Sequence, residues 1–224
     1  MSMSQNRIRD LRCYFVTGAA EPQEVVARAL AAARGGAGLV QVRSKPVSAR
    51  DLYHLAGAVA DALAEAKLDT QVLVDDRVDV AAALMREGRN IHGVHVGQDD
   101  LPVAQARELL GPDAIIGLTT GTLGLIREAN KVSDVIDYVG CGPFRDTPTK
   151  NSGRTPLGVD GYGPIVAESE LPVVAIGDVT TADAQALAST GVAGLAVVRG
   201  LMHAQDTESY AHQLLESFEA GTGR

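Results

Sequence analysis

Gly38-Leu39-Val40-Gln41-Val42-Arg43 is the stretch from which the fold is read. It is short, apolar and β-branched, as a strand covered on both faces should be. Before it, Gly35-Gly36 stops an Ala-rich helical segment running from Pro22 to Arg34. After it, Ser48 is placed to cap a helix that runs to about Lys67. The same rhythm extends outward in both directions. Upstream lies the β-rich run Cys13-Tyr14-Phe15-Val16-Thr17. Downstream come Gln71 to Val74 with a helix over Val78–Arg86, then His92 to Val96 with Pro102–Leu110. Ala114 to Leu118 precedes a weaker helix around Leu123–Lys131, and Tyr138 to Gly140 precedes a long loop and a helix near Gly161–Glu168. Pro172 to Ile176 pairs with Thr181–Ser189, and Gly194 to Val198 with Glu208–Ala220.

Eight strands alternating with eight helices predict an α/β chain of one domain over 1–224, a single (β/α)8 TIM barrel. A doubly wound open sheet usually has fewer strands. Residues 1–11 read as a polar N-terminal arm and 141–160 as an active-site loop. No apolar run approaches the roughly 20 residues of a membrane span, and the polar N-terminus carries no signal-like core. Cys13 and Cys141 fit neither a zinc spacing nor a disulfide scaffold and suit a reducing, cytoplasmic setting. The net charge of −8 argues against nucleic acid as a partner and leaves small molecules. A homo-oligomer is compatible with all of this. With such a balance, a site for an anionic ligand must gather its positive charge locally.

In such barrels the site lies at the C-terminal ends of the strands. Gln41, Arg43 and Lys45 stand at i, i+2 and i+4, so extended backbone puts all three on one face. Solvated charge at a frayed strand end would account for Lys45, but not for Gln41 within an apolar run. Asp75-Asp76 ends the third strand and Gln98-Asp99-Asp100 follows the fourth. Carboxylates from neighbouring strand ends can share one Mg²⁺ with substrate phosphates. Helix N-capping is the alternative, and is expected to take one acid of each pair. His92 and His95 face opposite ways along their strand, so a shared metal is not expected and core or surface histidine is. Gly142 to Lys150 taken alone reads as a solvated surface loop that happens to hold Thr and Lys; the alternative, favoured by the rest of the chain, is a loop in which Thr147, Thr149 and Lys150 grip phosphate. Gly177-Asp178 and Val198-Arg199-Gly200, at the ends of strands seven and eight, face it as a second anion-binding element.

In order and spacing, Val40 to Lys45, Asp75 to Asp79, His92 to Asp100, Tyr138 to Pro143, Thr147 to Lys150 and Ala175 to Gly177 resemble the thiamine-phosphate synthase family. The resemblance covers nearly all of the chain. It implies a transferase of thiamine biosynthesis that joins a pyrimidine diphosphate to a thiazole phosphate through a pyrimidine-methyl cation. It further implies Mg²⁺ on Asp76 and Asp100, with Arg43, Lys45 and Lys150 stabilising the departing diphosphate. Gln41 would bind the pyrimidine, Asp75 would stand beside the substrate, and Thr119 would lie near the reacting groups. Thr147, Thr149 and the backbone at Gly177, Asp178, Val198 and Arg199 would hold the thiazole phosphate.

Three positions depart from the pattern. Asp75 stands where the family has Asn, Gly121 where it more often has His, and Asp178 where it has a second Gly. Asp178 would oppose a phosphate unless Arg199 pairs with it or grips the anion in its place. The rival readings are a thiazole tautomerase, which needs the missing imidazole, and a non-catalytic thiazole-phosphate-binding barrel. A Schiff-base aldolase is a third, and would need a lowered pKa at Lys45.

Overall fold

The computed structural model describes residues 7–146 and 153–223. Eight parallel strands close into a barrel in sequence order: β1 (Cys13–Val16), β2 (Leu39–Val42), β3 (Gln71–Asp75), β4 (Gly93–Val96), β5 (Ile115–Thr120), β6 (Tyr138–Cys141), β7 (Val173–Ile176) and β8 (Gly194–Val197). Strand β8 pairs back onto β1, with Cys13 opposite Leu195 and Phe15 opposite Val197. The helices between them are α1 (Pro22–Arg34), α2 (Ala49–Glu65), α3 (Val78–Arg86), α4 (Val103–Leu110), α5 (Leu123–Asn130), α6 (Tyr162–Glu168) and α7 (Thr181–Ser189). Two more, α8 (Arg199–His203) and α9 (Thr207–Gly221), follow β8.

Strand alternation divides the core into two layers. Val40, Val42, Val72, Val74, Val94 and Val96 point outward and pack beneath the helices, against residues such as Ala56, Val59, Ala81 and Leu84. Each buried aliphatic side chain of this size contributes about 1.5–3 kcal/mol. Tyr14, Leu39, Leu73, Ile115, Tyr138, Val174 and Ala196 point inward and fill the barrel. Room for the Tyr138 ring comes from Gly117 on the neighbouring strand: a Cβ there would lie 2.2 Å from the ring. Helix starts are set locally. Ser48 accepts from the Asp51 N–H at 3.1 Å, as its position predicts, and Thr180 and Asp183 form a capping box on α7.

Two expectations need correction. Among the described residues there are nine helices rather than eight, because Arg199-Gly200-Leu201-Met202-His203 forms the short α8. Five residues containing a glycine show no helical periodicity, but Leu201 and Met202 are buried and hold the turn in place. The paired acids also cap nothing. Helix α3 begins after Arg77 and α4 after Pro102, neither with a side-chain cap. Asp100 instead accepts from the Gly97 N–H at 2.7 Å within its own loop.

The opposite end of the barrel holds a buried ionic cluster. The Asp137 carboxylate is fully enclosed and accepts from Arg7 at 2.7 Å, Arg107 at 2.9 Å and the Ile116 N–H at 2.8 Å. Arg107 also donates to the Val135 and Ala114 carbonyls, tying the start of β6 to the start of β5.

Candidate active site

Gln41, Arg43 and Lys45 leave β2 on one face, as their spacing predicts, and meet the carboxylates that end β3. Lys45 bonds Asp76 and lies 3.2 Å from Asp75, while Arg43 Nε lies 3.6 Å from the same Asp75 oxygen. Thr17 anchors this end of β2 by bonding the Arg43 N–H and C=O, both at 2.8 Å. Asp76 has φ 57°, and this left-handed turn lets two consecutive acids both reach Lys45. Burial pulls the Lys45 pKa down, yet the hydrogen bond to Asp76 and the two carboxylate charges outweigh it and leave it raised. That corrects the lowered value a Schiff-base lysine would need.

Asp75 is the unusual member of this group. Its side chain is 8% exposed, and its Oδ2 accepts no hydrogen bond. Burial, then the neighbouring Asp76 charge, push its pKa up to about 6 against the pull of Lys45 and Arg43. The folded chain therefore holds this proton more tightly than the unfolded one. Stability falls as pH rises between about 4 and 6, and the penalty is complete above that window. Asp75→Asn is expected to stabilise the fold by about 1–3 kcal/mol at pH 7.5, with little gain at pH 4. Urea unfolding of both proteins at the two pH values checks this. A gain of equal size at both would show that ionisation is not the cause.

Asp100 reaches the same corner from the loop after β4. Burial raises its pKa, the Gly97 N–H opposes this, and the neighbouring Asp76 charge raises it further. Asp76 and Asp100 thus face each other as a like-charged pair of hard oxygen donors, a set suited to Mg²⁺. Among the described residues no three His, Cys, Asp or Glu side chains form a metal-binding group, so further oxygens would have to come from a ligand or water.

The other wall is built by β5 to β8. Thr119 lies within β5, which runs two residues further than expected, and Gln98 Nε2 donates to its carbonyl at 2.6 Å. Gly177, with φ 109°, packs so closely on Pro143 and Phe144 that a Cβ would come within 2.6 Å of their backbones. Asp178 is also left-handed, with φ 61°, and pairs with Arg199. Of the two ways in which Arg199 can offset this charge, the structure shows the ion pair. Arg145 braces the turn from outside, donating to the Asp178 carbonyl at 2.9 Å and to Asp183 at 2.6 Å. Val198 lines the cavity beside Arg199 and precedes α8. Thr147, Thr149 and Lys150 lie outside the described residues.

Four contributors escape the sequence reading. His95 was expected as core or surface; it lines the cavity, bonded to Tyr138 at 2.8 Å and Thr119 at 2.9 Å. Tyr14 and Tyr138 continue that chain to Gln41. Arg154 lines the cavity and donates to the Thr120 carbonyl at 2.7 Å. The inward alternation of β4 was the available signal for His95, since it shares a face with Gly93. The cavity also closes the position at which the isomerase reading needs an imidazole. Gly121 has φ 152°, and a Cβ there would lie 2.2 Å from the Gly142 carbonyl oxygen.

Fold and site together define a (β/α)8-barrel enzyme whose charged groups gather at the C-terminal strand ends. Residues 13–201 match the family model described as thiamine monophosphate synthase. The chain belongs to this family. It is 62% identical over 215 residues to thiamine-phosphate synthase of Corynebacterium jeikeium (strain K411), covering 96% of this chain and 98% of the relative. With the enzyme of that name from Corynebacterium efficiens it shares 60% identity over 212 residues, 95% of this chain and 97% of the other. The solved structure of thiamine phosphate pyrophosphorylase from Pyrococcus furiosus superposes with a TM-score of 0.80 at 30% identity, covering 98% of this chain and 99% of that one.

Proposed function

We propose that the chain is a transferase that joins an aminopyrimidine methyl diphosphate to a hydroxyethylthiazole phosphate, giving thiamine phosphate and diphosphate. The observation that carries this reading is the corner where Arg43 and Lys45 meet Asp75, Asp76 and Asp100. Breaking the pyrimidine-methyl C–O bond moves negative charge onto the leaving diphosphate. Cations fixed beside it lower that barrier, because they need no reorganisation at the moment of reaction. The raised pKa of Lys45 keeps its ammonium fully charged for this role. Asp76 and Asp100 would hold Mg²⁺, which when bound would neutralise diphosphate oxygens.

The rest of the cavity holds the two heterocycles. Gln41, whose side chain reaches into the barrel interior, is placed to hydrogen-bond the pyrimidine. Its burial favours ligand partners over water. The backbone at Gly177, Val198 and Arg199, with Thr147, Thr149 and Lys150 carried over from the family resemblance, would receive the thiazole phosphate. The pyrimidine-methyl cation is then captured by the thiazole nitrogen, and no protein nucleophile is required. Asp178, neutralised by Arg199, does not repel the phosphate with a full charge. Cys13 and Cys141 are free and buried, with thiols that burial pushes up to about 12 and about 11, so both act as inert core side chains. Among the described residues no helix is long and apolar enough to cross a membrane.

The test is to incubate the full chain with both substrates and Mg²⁺ and to measure thiamine phosphate and diphosphate. Product is expected, and EDTA or Asp76→Ala should remove it. Binding of the thiazole phosphate with no product under any condition would instead make the chain a binding protein.

A further inference from the structure

An unbroken hydrogen-bonded chain crosses the barrel interior. Gln41 Nε2 donates to the Tyr14 hydroxyl. Tyr14 and Tyr138 hydroxyls lie 2.8 Å apart, Tyr138 lies 2.8 Å from His95 Nδ1, and His95 Nε2 lies 2.9 Å from Thr119 Oγ1. Each of the last three links can run in either direction, but fixing the first fixes the rest. An amide N–H can only donate, so Tyr14 accepts from Gln41 and has its one proton left for Tyr138. Tyr138 has then accepted, and its own proton goes to His95 Nδ1. Any other arrangement strands a hydroxyl proton in the barrel, where Tyr14 is 1% exposed and Tyr138 fully buried. A stranded buried donor is disfavoured. Burial raises the pKa of both phenols, so each has a proton to give.

An imidazole whose Nδ1 accepts carries its proton on Nε2 and donates it to Thr119. Thr119 has then accepted, and its hydroxyl proton remains for an acceptor in the cavity. We infer that His95 is a positioning residue which, with its tautomer set from Gln41 through Tyr14 and Tyr138, makes Thr119 an obligate hydrogen-bond donor to an anionic oxygen of the bound ligand. The identity of that oxygen, on the departing diphosphate, rests on the function proposed above; the direction of the chain does not. Recognition of one ring by Gln41 is thereby linked to charge stabilisation at Thr119. If Gln41 turned its carbonyl to Tyr14 instead, every bond would reverse and Thr119 would become an acceptor.

The two directions differ in one observable. In full chain labelled with ¹⁵N-histidine, the His95 resonances are identified by their loss in His95→Gln. The Nε2–H tautomer is expected in the ligand-free protein, and the Nδ1–H tautomer would overturn the inference. Single-turnover rates provide the functional arm. Tyr138→Phe should slow product formation about tenfold with pyrimidine diphosphate binding unchanged, the loss of one hydrogen bond in the transition state. In a Thr119→Val background the same change should cost less than about twofold. Equal losses in both backgrounds would make Tyr138 a packing residue and sink the idea. A wild-type chain with no turnover would refute the proposed function, yet the tautomer would still decide the direction of the chain.

Discussion

Lys45→Ala is expected to lower kcat/KM by about 10²–10³-fold, the usual effect of removing one preorganised charge from an anionic transition state. The expectation follows from where the ammonium sits. It bonds Asp76 and lies 3.2 Å from Asp75, so it stands between the β2 and β3 ends with its charge secured by two carboxylates. Most of the loss should fall on kcat, because diphosphate gains charge as it leaves and the cation acts chiefly then. Lys45→Arg should recover only part, since a planar fork cannot take the position of a compact ammonium between the two acids. Melting temperature at neutral pH should also fall modestly: the Lys45 side chain is 47% exposed, but its loss removes a charge that offsets the burial of Asp75. The check is steady-state kinetics with diphosphate release as the readout. Activity within threefold of wild type would remove Lys45 from the chemistry.

At the other end of the barrel, Asp137→Ala is expected to cost about 3–5 kcal/mol of stability. That loss corresponds to roughly 10 °C in melting temperature for a chain of this length. Asp137 is fully enclosed and satisfies Arg7, Arg107 and the Ile116 N–H together, while the two arginine side chains are 18% and 16% exposed. Removing the carboxylate leaves two half-buried guanidinium groups facing each other and a strand N–H without its acceptor. Asp137→Asn keeps an oxygen for Ile116 and should lose clearly less. Denaturant unfolding of the three proteins separates the cases. Equal losses for Ala and Asn would place the whole effect in the charge and none in the backbone bond.

Much of the fold was legible in the sequence, for a physical reason. Strands covered on both faces must be apolar throughout, so runs such as Val72-Leu73-Val74 stand out against the Ala-rich helices. Helix α7 spans Thr181–Ser189 as expected, and its start is fixed locally by the Thr180–Asp183 capping box. Helix α8 was not legible, since it is held by the burial of Leu201 and Met202 rather than by its own pattern. The site divides in the same way. Gln41, Arg43 and Lys45 declared themselves by alternation, as polar residues leaving an apolar strand. His95, Tyr14 and Tyr138 did not, because a ring inside a barrel and a ring in an ordinary core have the same sequence signature. Only the closure of the barrel brings Tyr14 of β1 against Tyr138 of β6. The left-handed turn that aims Asp76 at Lys45 was equally hidden, since an Asp-Asp pair before a helix reads first as a cap.

The pairing of β8 with β1 has a consequence for how the chain is made. Synthesis runs from the N-terminus, so β1 emerges early and must wait for Gly194–Val197 before its second neighbour exists. Until then the growing ring has two open edges, β1 and the newest strand, each with a row of unpaired backbone groups able to recruit another chain. A nascent chain halted before residue 194 would keep both edges open however well its first seven strands had paired. Release of the last strand and α9 is thus the step at which this chain stops being an aggregation hazard and becomes a sealed ring.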